Sequence, residues 1–148
     1  MELIEKIILM SFAVLSCIES YFDGYKTKLG KEIEHSLSAG VRVVTAVVTS
    51  IILFYQWYYM FTFTIIMLLV YWIPFDVVFN IAAERDTWRM GKTAELDKIA
   101  QKITGGDLQL WTVSKVTLLC FMIFIHTELD MILYYLDLLW NYFQSFSM

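Results

Sequence analysis

Residues 41–83 read VRVVTAVVTSIILFYQWYYMFTFTIIMLLVYWIPFDVVFNIAA, and Arg42 and Asp76 are the only charged residues in the stretch. As one helix, about 43 residues at about 1.5 Å each would reach about 65 Å, roughly twice the thickness of a hydrocarbon core. The stretch therefore folds back on itself. Gln56-Trp57-Tyr58-Tyr59 marks the reversal, because it holds an amide and three rings suited to the headgroup level of a bilayer.

Working outward, Ile7–Ile18 and Val116–Ile125 are further apolar runs, each extendable through mildly polar flanks to the roughly 20 residues a crossing requires. The 148-residue chain is 59% hydrophobic and 17% aromatic, with a mean hydropathy of +0.61. That is more apolar surface than a soluble domain of this length buries. The expectation is one all-α domain, 1–148, with spans over 4–22, 38–56, 60–83 and 111–135, its first partner being a lipid bilayer. The N-terminal run is expected to be a retained span rather than a signal peptide, because Glu2, Glu5 and Lys6 give it an acidic flank. Cys17 and Cys120 lie inside apolar runs, so free buried thiols are expected.

Basic residues set the expected topology. After Lys6, they fall at Lys26, Lys28, Lys31 and Arg42, then at Arg85, Arg89, Lys92, Lys98, Lys102 and Lys115. If basic loops face the cytoplasm, the loops 24–40 and 84–110 lie inside and both termini outside, which requires an even number of spans. In the second loop, Leu96, Ile99, Ala100 and Ile103 share one helical stripe and Gly105-Gly106 follow. This predicts a short amphipathic helix on an anionic leaflet, ended by the glycines.

The polar residues embedded in these spans carry the functional question. Counted from Phe61, Asp76 lies about 22 Å along its helix and Asn80 about 28 Å. Glu19, counted from Ile4, falls at a similar depth, with Asp23 one turn further, Arg42 at the start of the second span and His35 just before it. Glu19/Asp23 are spaced i,i+4 and Asp76/Asn80/Glu84 continue that spacing, so each set shares a helix face. Ionisable groups at such depth face the bundle interior and nominate a site. Pro74, the only proline, leaves the Val70 carbonyl without its helical donor.

Three readings follow. Glu19, Asp23, His35, Asp76 and Asn80 could hold a divalent metal through mixed N/O donors, with Arg42 and Glu84 in the surrounding polar network. The same carboxylates could line an ion or proton route. Or Arg42 pairs with Glu19 or Asp76, and the cluster serves only helix packing. No H-E-x-x-H or E-x-x-H pair falls within an expected span. Farther along, His126 and Asp130 lie near the outer interface, where a satisfied histidine is the simpler reading.

Gly91-Lys92-Thr93 imitates the tail of a phosphate-binding loop, but Asp86 stands where that motif needs glycine. No nucleophile elbow, dinucleotide fingerprint or Cys-x-x-Cys pair appears. No enzymatic activity and no nucleic-acid partner are expected. An intramembrane enzyme would need a wet cavity holding His35 beside two carboxylates.

Asp23-Gly24, Lys28, Ile33, His35 and Arg42, with Phe75-Asp76, Asn80, Arg85, Trp88 and Gly91-x-Thr93-x-x-x-Asp97, resemble a pattern in small multi-span helical membrane proteins of bacteria and their phages. The resemblance covers about half the chain. It implies that Asp23, His35, Asp76 and Asn80 belong together, and it carries no activity. The expected function is a small oligomeric protein of the bacterial inner membrane or a phage membrane, whose cytoplasmic-side cluster binds a cation or lines an ion or proton route. The alternative is a phage structural or holin-like membrane protein in which the cluster only packs helices.

Overall fold

The computed structural model describes residues 1–31, 35–87 and 95–145, without the side chains of residues 35–38, 95–97, 100, 103, 141, 144 and 145. The predicted roles of His35, Leu96, Ala100 and Ile103, and the resemblance positions Ile33, Trp88, Gly91, Thr93 and Asp97, lie outside the described side chains. Among the described residues the chain is all-α, in the order α1 (Leu3–Lys28), α2 (His35–Leu53), α3 (Trp57–Ala82), α4 (Glu95–Thr104) and α5 (Leu108–Ser145). Two of these, α3 and the Leu108–Trp140 part of α5, are long and apolar enough to cross a membrane; the apolar part of α2, Ala39–Leu53, is shorter.

The long apolar stretch breaks where its length demands. α2 ends at Leu53, and α3 starts after Gln56, whose extended backbone serves as N-cap. α1 continues well past the expected end of its span, to Lys28, and Gly30, at φ 70°, closes it with the Lys31 N–H bonded to the Lys26 carbonyl. Gly105 and Gly106, both at positive φ, follow the end of α4. Asp107 then caps α5, its carboxylate accepting the N–H groups of Gln109 and Leu110 at 2.8 and 3.2 Å.

α3 is the central rod, and α1, α2 and α5 pack around it while α4 rests on α5. Its direction relative to each neighbour follows from the bonded pairs. Ser16 bonds Tyr71, and Gly24 lies against Phe79 and Ala82, so α1 runs parallel to α3. Thr64 bonds Ser50 at one end while Tyr71 lies beside Arg42 at the other, so α2 is antiparallel; Lys115 opposite Asp76 and His126 opposite Thr62 make α5 antiparallel too. The α2–α3 turn and the first turn of α1 therefore share one end of the bundle. The α1–α2 and α3–α5 connections share the other, which holds every described basic residue except Lys6.

What is buried is unusually polar. α1 turns Glu5, Leu9, Ser16, Ser20, Asp23 and Gly24 inward. Along α5, Leu108, Lys115, Met122 and Leu129 recur every seventh residue, joined by His126. An apolar cluster of Leu9, Ala46, Phe63, Ile66, Met67, Leu69 and Met122 fills the middle. Outward faces are apolar instead: Ile4, Ile7, Val14 and Ile18 on α1, Val44, Val48 and Ile51 on α2, and Phe121 and Phe124 on α5 are all exposed. Cys17 and Cys120 are free as expected, but neither is buried: Cys17 is half-buried, and Cys120 is exposed because it sits off the seven-residue stripe of α5.

Candidate functional site

One turn and a half of α3, Tyr71 to Asp76, anchors two ion pairs on different sides of the helix. On the α1/α2 side, the Arg42 guanidinium forks onto the Glu19 carboxylate, its Nε donating to Oε2 at 3.3 Å and Nη2 to Oε1. The Tyr71 hydroxyl donates to the same Glu19 Oε2. Arg42 lies over two rings spaced i,i+4 on α3, with Cζ 4.6 Å from the Tyr71 centroid and 4.8 Å from that of Phe75. A planar guanidinium can bond in its plane and stack on its faces at once, which a lysine cannot.

On the α5 side, Lys115 Nζ lies 2.8 Å from Asp76 Oδ2. The lysine is almost fully enclosed, at 3% side-chain exposure against 26% for Asp76. Its ammonium stands 5.0 Å from the Trp72 ring and 5.9 Å from Trp111, and these indoles meet edge to face at 5.7 Å. Trp72 and Asp76 are again i,i+4. A helix places such residues in one column, so α3 carries Tyr71/Phe75 on one side and Trp72/Asp76 on the other.

Among the described residues, Glu19, Asp23, Asp76 and Asn80 are thus near one level, and each has its own partner. Glu19 and Asp76 attach within about a turn and a half of each other along α3, but each faces its own cation. Asp23 is buried at the α1–α3 seam, with Lys26 Nζ 3.5 Å from Oδ1. Asn80, also buried, donates through Nδ2 to the Thr87 carbonyl at 3.1 Å and holds the chain leaving α3. Glu84, at φ 54°, pairs with Lys28 in the open, and that carboxylate raises the Lys28 pKa above its ordinary 10.5. Among the described residues no group of three His, Cys, Asp or Glu stands where it could hold a metal ion.

Of the packing partners weighed for Arg42, the structure selects Glu19. Tyr71 and Lys115 escaped the sequence reading, although both had signals. Lys115 is a lone cation inside an apolar run, and Tyr71 precedes Phe75 by one helical turn. The Ser16-x-x-x-Ser20-x-x-x-Gly24 repeat was also legible as a close-packing seam. Next to Pro74, the Ser16 hydroxyl donates to the Tyr71 carbonyl, one residue beyond the Val70 carbonyl that proline deprives of its donor. His126 does not pair with exposed Asp130. It turns inward, with Nδ1 2.7 Å from Thr62 Oγ1 and Nε2 3.9 Å from Glu5 Oε2.

No family model, no curated protein and no solved structure matches this chain, so the functional reading rests on the geometry alone.

Proposed function

We propose that the chain is a non-enzymatic integral membrane protein of four spans, α1, α2, α3 and α5, with basic loops cytoplasmic and both termini outside. In this reading it is a structural component of a bacterial or phage membrane, and its intramembrane charges fix helix packing. The observation that carries it is the pairing of Glu19 with Arg42 and Asp76 with Lys115, each cation walled by two aromatic rings. Removing one partner from such a pair strands a charge in a dry interior. The pairs therefore specify which helices meet and in what register.

Outward apolar faces on α1, α2 and α5, and the basic residues collected at one end, support the four-span arrangement. α4 then lies at the cytoplasmic headgroup level, where Lys98 and Lys102 meet anionic lipid. Association with further copies is part of the same reading, since helices packed through small residues leave apolar faces free for neighbours.

Single cysteines placed at Tyr55 and Lys31 in a Cys17/Cys120-free background test the topology. A membrane-impermeant maleimide is expected to label position 55 from outside and position 31 from inside; labelling of both from one side refutes it. Purified protein reconstituted in liposomes separates packing from transport. The packing reading expects no stoichiometric divalent metal and no ion flux. Metal or flux abolished by Asp76→Ala would instead establish the cation reading.

A further inference from the structure

α5 keeps its packing face after the bundle has ended. Met122, His126 and Leu129 are buried on it at spacings of four and three residues. The same alternation runs on through Leu133, Leu136, Trp140 and Phe143, and there all four are exposed, the last three by more than half. A four-three alternation of apolar residues is the seam of a left-handed coiled coil. The opposite side of this overhang carries Tyr134, Tyr135 and Tyr142 around Leu138, exposed rings whose hydroxyls suit water.

In the four-span arrangement the overhang stands outside the membrane. α5 has 38 residues, about 57 Å at about 1.5 Å each, against about 40–45 Å for a bilayer with its headgroups. Neither proline nor glycine interrupts it, so it lacks the sharp kink that would lay the overhang on the leaflet. An apolar seam standing in water calls for a cover. Every copy inserted with one topology raises the same seam at the same height and in the same direction. Laid parallel, two copies bring Asp137 of one against Ile132 of the other, so like charges do not meet across the seam. Residues 131–148 hold no lysine, arginine or histidine and only one acid, which gives a different, charged partner little to recognise. Two heptads are too short to hold free helices together, but anchoring in one bilayer keeps the overhangs at high effective concentration.

We propose that the overhangs of neighbouring copies wind into a parallel coiled coil through Leu133, Leu136, Trp140 and Phe143, so that the protein assembles outside the membrane through α5. This deepens the four-span reading and rests on it for the common height and direction of the helices.

The test is disulfide scanning of the full chain in liposomes, with single cysteines placed by Leu136→Cys, Phe143→Cys, Tyr134→Cys and Leu138→Cys in a Cys17/Cys120-free background. Copper-phenanthroline oxidation should give several-fold more dimer at positions 136 and 143 than at 134 and 138. Same-residue disulfides at both 136 and 143, a full heptad apart, require parallel helices. In the parent background, Leu136→Asp combined with Phe143→Asp should turn the assembly into monomer by light scattering in micelles. Its bundle should melt as the parent's does, since the pairing residues lie beyond the bundle. The inference is overturned by equal yields at the four positions, by no dimer at any, by dimer favouring 134 and 138, or by the aspartate variant associating as the parent does. Dimer at 136 or 143 but not at both would mark antiparallel copies from facing bilayers and overturn it too. Labelling at positions 55 and 31 reads the four-span arrangement separately, so labelling on the expected sides with failed cross-links overturns the coil alone.

Discussion

A β-carbon at position 24 would sit 2.4 Å from the Phe79 carbonyl oxygen and 2.8 Å from the Ala82 β-carbon. Both neighbours belong to the central helix and have little room to move. Gly24→Ala should therefore prise α1 from α3 and lower stability by about 1–3 kcal/mol, read as a thermal shift in micelles. Asp76→Ala should do more. It leaves Lys115 enclosed between two indoles without its carboxylate, a loss on the order of 3 kcal/mol, and adding Lys115→Met should restore most of it. A double substitution no better than the single one would contradict the packing role of this pair. At this scale the sequence disclosed the acids and Arg42, since charges in apolar runs are conspicuous. It did not disclose their partners, because spacing along one helix gives a face but not the neighbour that the face meets.

Some breaks between helices were legible, since length limits placed the α2–α3 turn and Gly105-Gly106 the end of α4, whereas Gly30, which closes α1, was not read as a stop. Helix lengths were less so: α5 runs to Ser145, well past the expected end of its span. His126 is level with Thr62 near the start of α3, so the residues beyond about 131 continue past the bundle. Every described side chain from Leu133 to Phe143 is exposed. An apolar run has no periodicity to show where packing stops. Truncation after Ile132 should accordingly shift the unfolding free energy by less than about 0.5 kcal/mol, measured by thermal melting in micelles. A larger loss would mean that the overhang contacts the bundle.

For the molecule as a whole, the distribution of polarity is the dominant feature. Three serines, two threonines, an asparagine, two carboxylates, a lysine and a histidine are buried among the described residues, while valines, isoleucines and phenylalanines face out. Composition alone announced an apolar environment, and the separation of basic residues to one end was readable from their positions. The parallel course of α1 and α3 follows from the one antiparallel helix, α2, between them. Ala46 and Ser50 mark the buried face of α2, but spacing along one helix does not say which neighbour that face meets. Val48→Lys tests what surrounds that face. In water the change should be nearly neutral, within about 0.5 kcal/mol. In a bilayer it should oppose insertion by about 2.5–3.5 kcal/mol, measured as the inserted fraction in a translocon assay.

The parallel seam of α1 and α3 also orders events during synthesis. Ser16, Ser20, Asp23 and Gly24 are matched to residues as late as Ala82, and a complete antiparallel rod must be made in between. While the ribosome is still working through α2, the Ser16 hydroxyl of the newborn first helix lacks the Tyr71 carbonyl it will meet on α3. With α2 deleted, a short connection would return α3 antiparallel to α1, and the Ser16–Tyr71 and Gly24–Phe79 contacts of the seam could not form.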